Sequence, residues 1–335
     1  MKKSNLTILI FILLVIIAVI IYFTNKSGTL KKELRDFAVE DTASVDKIFM
    51  VNKANQQVTL ERNGNDWMVN GKFIARRDAI NVLLKTLNRI DVKSPVSKSS
   101  FDNVVKNLAA QSTKVEVYQN KNFVKTIYVG GPTQDNYGTY MMLENSATPF
   151  IIHIPGFSGY LSTRFFIEES LWRATNVFNF KFQDISEIIV EQPVKPENGF
   201  KITSNNNHYE IIPIDKNIQK IDFDTNSVKE YISRFKNVNF EYLARDIKQS
   251  KKDSVLASVP YFIISVKDIN GKTNTIKTFL RPGDGLIDDD GKPYEFDPDR
   301  LYGLLDNGDF VIIQYYVFDP LFRTYKEFYS TRQKV

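Results

Sequence analysis

The sequence has no cysteine and only two histidines in 335 residues. Without cysteine there is no disulfide framework, thiol nucleophile, zinc–thiolate site or cysteine-ligated iron–sulfur cluster. A lipid anchor on an N-terminal cysteine is excluded as well. Two histidines leave little material for a histidine metal centre or a proton relay. A large excess of one charge is also missing, with 44 Lys+Arg against 39 Asp+Glu and a net +5. Setting Lys2 and Lys3 aside leaves +3 for the remainder, too little for a nucleic-acid partner. What is present is an ordinary folding composition, 43% hydrophobic and 25% charged, which excludes a disordered or fibrous chain. At ~150 residues per domain the length suggests two domains.

Long apolar runs are missing too, with one exception. Leu6 to Phe23 (LTILIFILLVIIAVIIYF) carries no charge over 18 residues. At ~1.5 Å per helical residue it covers about 27 Å, close to a bilayer's hydrocarbon core. Tyr22 near its end suits the headgroup layer. Signal-peptide cores run ~7–15 residues and end in small residues. This run is longer and has no A-x-A step, which favours an uncleaved anchor. The expected plan is a cytoplasmic tail over 1–5, a transmembrane helix over 6–23 and a juxtamembrane stalk over 24–44. Thr29 to Phe37 (TLKKELRDF) reads as a short polar helix there, solvated or touching headgroups through Lys31, Lys32 and Arg35. A short tail with two lysines stays most simply in the cytoplasm, which places the rest in the periplasm.

The body shows two passes of one pattern. VDKIFMV (45–51) matches ISEIIVE (185–191), and QVTLERNGNDWMV (57–69) matches GFKITSNNNHYEI (199–211). Alternating runs around an Asn/Gly turn predict hairpins. Arg77 to Ile90 puts Ile80, Leu83, Leu84, Leu87 and Ile90 on one helical face, and Ser227 to Leu243 is its counterpart. Asp78 suits that helix's first turn, and Thr225 to Ser227 offers N-caps for the second. Lys114 to Gly130 pairs with Tyr261 to Gly283, and Gly138 to Pro155 with Leu301 to Val317. Amphipathic tails, Gly156 to Ile167 and Pro320 to Tyr329, close each pass. The expected fold is α+β, two tandem repeats of mostly antiparallel sheet plus helices, over 45–170 and 171–335.

Several patterns invite chemistry. Gly156-Phe157-Ser158-Gly159 starts like a nucleophile elbow, but Tyr160 stands where G-x-S-x-G needs glycine. The loop from Pro282 to Gly291 suggests a calcium site through Asp284, Asp288 and Asp290, although Leu286 and Asp297 break the EF-hand spacing. Its alternative is a solvated loop turned by Asp-Gly steps. Gly130-Gly131-Pro132 lacks phosphate-loop spacing and reads as a strand exit. His153 and His208 fall in different repeats, which counts against a shared metal site. Arg76-Arg77 offers an anion contact at a helix start. Trp172, beside Arg173 on the connecting segment, is either a wedge between domains or an exposed anchor for a partner. Tyr315 and Tyr316, in the ring-rich QYYVF, are further interaction candidates.

A set of short motifs adds a resemblance. A basic tail and single span precede D-K-I in a first strand. Asp66-Trp67-x-Val69-Asn70-Gly71, Ala75-Arg76, Tyr128 to Gly131, Tyr137 to Met141 and Leu171-Trp172-Arg173 follow. Together they resemble the bacterial family catalogued as Domain of Unknown Function four-three-four-zero, most clearly over Val45 to Arg173. The resemblance implies a bacterial envelope protein, often encoded near ABC-type transporter genes whose auxiliary membrane subunits resemble those of gliding motility. It implies no catalytic residues and no cofactor. The expectation is therefore a non-enzymatic inner-membrane protein with periplasmic domains, serving an ABC-type transport complex by scaffolding or substrate handling through sheet faces and a cleft between repeats. The alternatives are an anchored carbohydrate- or peptidoglycan-binding module, or a calcium-dependent envelope hydrolase centred on Asp284 to Asp290.

Overall fold

The computed structural model describes residues 12–17, 35–206 and 208–329. Residues 12–17 are helical. The rest of the expected 6–23 span, with Leu6, Tyr22 and Phe23, lies outside the described residues. Among the described residues no helix is long and apolar enough to cross a membrane. The expected stalk changes character at its end. Residues 24–34 are outside the description, but Phe37 and Val39 are buried in a folded core. Both are apolar and pack against α1 (Arg77–Arg89) and the sheet, where Val39 N donates to Leu87 O and Phe37 meets Phe150 edge-on at 5.9 Å. The chain divides into two compact units after Ala174.

The first unit is one nine-stranded sheet. Its strands are β1 (Val45–Val51), β2 (Gln57–Asn63), β3 (Asp66–Val69), β4 (Phe73–Ile74), β5 (Asp91–Pro95), β6 (Thr113–Gln119), β7 (Asn122–Pro132), β8 (Thr139–Leu143) and β9 (Phe150–His153). The spatial order is β4-β3-β2-β1-β6-β7-β8-β9-β5, with every neighbour antiparallel. Val45, Ile48 and Met50 of β1 are all buried. Their three-then-two spacing breaks strict alternation, and a register shift between Val45 and Lys47 accounts for it: one extra residue keeps both flanks facing the core.

α1 covers one face. Ile80, Leu83 and Leu87 are buried at the expected helical spacing, and Asp78 sits in the first turn, paired to Arg76. A second helix, α2 (Phe101–Gln111), covers the opposite face near β8 and β9. Side chains alternate across a strand, so Met141, Phe150 and Ile152 join the main core while Tyr140, Met142 and Ile151 meet Val104 and Leu108 of α2.

The second unit has β11 (Ile185–Glu191), β12 (Phe200–Asn205), β13 (His208–Pro213), β15 (Tyr242–Leu243), β16 (Phe262–Asp268), β17 (Thr273–Pro282), β18 (Phe296–Leu305) and β19 (Phe310–Gln314). Their order is β13-β12-β11-β16-β17-β18-β19-β15. A small ribbon joins β10 (Asn176–Phe178) to β14 (Val238–Asn239). α3 (Thr225–Ser233) faces the main core through Val228, Tyr231 and Ile232. The predicted helix over 227–243 therefore stops at Ser233, winds down through one 3-10 turn and re-emerges as two short strands. Its cap is Asp224, whose carboxylate accepts from Asn226 N and Ser227 N, rather than Thr225 to Ser227. α4 (Gln249–Ala257) lies on the other face, over Phe279, Tyr302, Phe310 and Ile312. The expected amphipathic tails are instead short 3-10 turns, at Ser162–Arg164, Asp319–Leu321 and Tyr325–Phe328.

The mostly antiparallel α+β architecture is as expected. The aromatic excess is largely core, where Phe200, Tyr231, Phe235 and Phe328 form an edge-to-face cluster with centroids 5.0–5.6 Å apart.

Candidate functional site

The first unit carries a groove of about 680 Å³ with convergent polar groups, set between α2, β5 and the turn from β7 to β8. That volume lies inside the ~300–1,000 Å³ span of small-molecule sites. Two glycines make the geometry. A Cβ on Gly130 would sit 2.6 Å from Leu108 Cδ2 and 3.0 Å from Tyr140 O, so glycine there lets α2 approach the sheet. A Cβ on Gly138 would sit 2.5 Å from Ile151 Cγ2. The motifs Tyr128 to Gly131 and Tyr137 to Met141 thus mark close packing around this groove, not phosphate binding.

The turn is held by its own polar groups. Asp135 Oδ1 accepts from Thr133 Oγ1 at 2.5 Å and from Tyr137 N at 3.0 Å. The Thr133 hydroxyl, then the Tyr137 amide, hold the Asp135 carboxyl below its usual range. Asn136 adopts φ +60°, a left-handed conformation that asparagine tolerates. Lys93 Nζ reaches Asp135 at 3.9 Å and Tyr137 O at 3.4 Å. Asn103 and Asn107, one helical turn apart, supply amides from α2, and Gln134 and Asn136 supply them from the turn. Tyr140 and Ile151 form the floor. Amides both donate and accept, so the groove can match the mixed hydrogen-bonding pattern of a neutral polar ligand.

The residues singled out in the sequence fall elsewhere. Trp172 is fully buried in the first core. Its ring stacks on Phe166 at 4.0 Å and its Nε1 donates to Phe166 O at 2.8 Å. It is not an exposed anchor, because an apolar ring of this size finds its burial within the first unit. Arg173 is also buried, with its guanidinium 3.4 Å from the Phe73 ring centroid and Glu169 at 4.0 Å. Tyr315 is half-buried against the second core, and burial pushes its hydroxyl up to about 12. Tyr316 is 91% exposed and is the one ring of these four residues' set that faces solvent.

The acidic loop between β17 and β18 does not gather its carboxylates. Asp284 is engaged by Lys251 at 2.5 Å. Asp288 Oδ1 accepts from Asp290 N and Lys292 N within its own turn. Asp290 faces Lys292 at 3.8 Å. Asp297 is occupied by Arg281 and by two backbone amides. Among the described residues no group of three or more His, Cys, Asp or Glu side chains could hold a metal ion. The anion contact expected at Arg76-Arg77 is taken by carboxylates, Asp78 at 2.6 Å and Asp66 at 3.2 Å. Sequence reasoning missed the groove because α2 carries only two buried apolar residues.

The fold and groove define a two-unit antiparallel α+β protein with a polar, amide-lined site in its first unit. The chain belongs to the family described as Domain of unknown function (DUF4340), whose model matches residues 68–257, more than half of the sequence. The match runs from β3 to the end of α4. No curated protein matches the chain.

Proposed function

We propose that this chain is a non-enzymatic, membrane-anchored bacterial envelope protein that serves as an accessory or scaffold subunit of an ABC-type, gliding-motility-related transport complex. Its two units are tandem copies of one domain, held on the periplasmic side of the inner membrane. The observation that carries the reading is the short distance in sequence between the uncharged run and the first core. Only residues 24–36 separate Phe23 from buried Phe37. Thirteen residues reach at most about 45 Å, so the first unit would work close to the bilayer and its resident complexes.

Support for duplication comes from β1 and β11. Each is flanked by a hairpin partner and a strand from beyond the helix, and each carries a register shift after its first residue. Their seven-residue burial patterns are identical. The tests use the full chain. Cross-linking in cells followed by purification in neutral detergent is expected to recover an inner-membrane transporter component, and its absence would sink the partner claim. A periplasm-only reporter fused after Val335 is expected to be active; an inactive fusion that is stably made reverses the topology.

A second reading, a carbohydrate- or peptidoglycan-binding module, is favoured by the amide-lined groove with Tyr137 and Tyr140 beside it. Here the full chain should sediment with insoluble peptidoglycan, and the Asn103→Ala/Asn107→Ala double variant should be retained at least tenfold more weakly. Equal retention of both would remove this reading.

A further inference from the structure

Three positive side chains converge on one small cavity of the first unit without a carboxylate among them. Lys85 and Arg89 project from α1 one helical turn apart, and Arg164 comes from the 3-10 turn after β9. The cavity measures about 270 Å³, and its remaining walls are Val82, Ile154 and Phe157. The guanidinium groups of Arg76 and Arg77, at the start of this helix, are both ion-paired. In contrast, none of Lys85, Arg89 and Arg164 has an ion-pair partner among the described residues.

Arg164 is built into place rather than left waving in solvent. Its Nη1 donates to Thr86 Oγ1 at 2.9 Å, and that buried hydroxyl donates to Val82 O at 2.7 Å. Its guanidinium lies over the Phe157 ring, 4.5 Å from the centroid. Gly159, at φ +149°, leaves room for that ring, because a Cβ would come within 3.0 Å of it. Partial burial lowers the basicity of Arg164, the sign of a cation that has lost water without gaining a counter-charge. Like charges one turn apart on a helix repel. The C-terminal end of α1 contributes about −0.5 charge, which leaves more than two positive charges unmatched.

We propose that this cavity binds a phosphate group. Guanidinium donors in a fixed fork match phosphate oxygens, and lysine adds a point charge. The size admits a phosphate with a short ester arm, not an oligosaccharide. The exposed faces of Val82 and Phe157 would suit an attached apolar chain. Free phosphate and a phospholipid headgroup share this chemistry, and the experiment separates them.

The test takes the full chain in an uncharged detergent and follows its thermal midpoint during titration with inorganic phosphate, against sodium chloride of equal ionic strength. In parallel, the chain is placed in nanodiscs of phosphatidylcholine alone or mixed equally with phosphatidylglycerol. A saturable rise with phosphate, weakened about tenfold in Arg89→Gln and in Lys85→Gln, supports a phosphate site. A rise confined to phosphatidylglycerol nanodiscs, and lost in the same variants, assigns the phosphate to a lipid headgroup. No rise with either probe, or an equal rise in the variants, overturns the proposal. Lys85 and Arg89 are exposed, so these variants are expected to fold, which an unchanged thermal midpoint without ligand checks. Arg164→Gln, which also releases Thr86, is the stronger but less clean substitution.

Discussion

Trp172→Ala is expected to destabilise the first unit by about 3–5 kcal/mol, the range for emptying a buried large aromatic site. The ring is completely shielded. It stacks on Phe166 and spends its one polar group on Phe166 O. Its own carbonyl accepts from Arg76 N at 2.6 Å, at the entry to α1. The next residue bridges to Ala75 and stacks on Phe73. Alanine would thus leave a cavity where the last turn of the unit meets the start of its main helix. Urea unfolding of the full chain in neutral detergent reads the effect, with Trp172→Phe as the graded control. Phenylalanine keeps most of the packing but loses the Nε1 bond, a net loss of about 1 kcal/mol beyond the smaller ring. A loss under about 1 kcal/mol for alanine would contradict the packing described.

That residue also shows where sequence reasoning stops. The buried character of Trp172 follows from its size and apolarity, but not which core receives it. The segment 171–174 was expected to open the second domain and instead finishes the first, because Ala174 N donates to Ile74 O and Arg173 bridges to Ala75. Long-range backbone pairing of this kind leaves no local trace. By contrast α1 was legible to within a residue, since its buried positions repeat every three or four residues.

The helices on the outer faces were not legible for a physical reason. α2 buries only Val104 and Leu108, and α4 has no fully buried residue. Each packs on its sheet face through two apolar side chains, Val104 and Leu108 in one and the partly buried Val255 and Leu256 in the other, too few to leave a helical period. The polar groove was hidden with α2, because Asn103 and Asn107 have meaning only once that helix exists. The phosphate cavity was hidden differently. Lys85 and Arg89 are spaced like any solvated pair, and Arg164 joins them only through the turn that follows β9. Phe157, Ser158 and Gly159 resemble a nucleophile elbow in sequence only; in the fold Phe157 supplies a wall for Arg164 and Gly159 makes room for its ring.

At the other end of the chain, Phe328→Ala is expected to cost the second unit about 3–5 kcal/mol. Phe328 is fully buried, 5.0 Å from Phe200 and 5.4 Å from Tyr231. Its carbonyl accepts from Asp224 N at 3.0 Å, and Asp224 in turn caps α3. Thr324 and Glu327 hold the turn in a reciprocal capping box, and Tyr329 bridges to Phe223. One short segment therefore closes the core and positions the helix that covers it. A pH series gives an independent reading of the same cluster. Tyr231 donates its hydroxyl to Leu321 O at 2.8 Å, and full burial drives its ionisation far above the usual range. The unfolded tyrosine ionises near pH ~10 and the folded one does not. The stability that this group contributes is intact below pH ~10 and is lost as pH rises above it, by up to about 1.4 kcal/mol per pH unit. Urea midpoints measured on either side of pH ~10 should fall more steeply in the parent chain than in Tyr231→Phe. Equal slopes would place that hydroxyl in contact with water. Because the closing segment ends so near Val335, the topology reporter must be joined after the last residue; a fusion that replaces Thr324 to Tyr329 would open the core and report on misfolding instead of location.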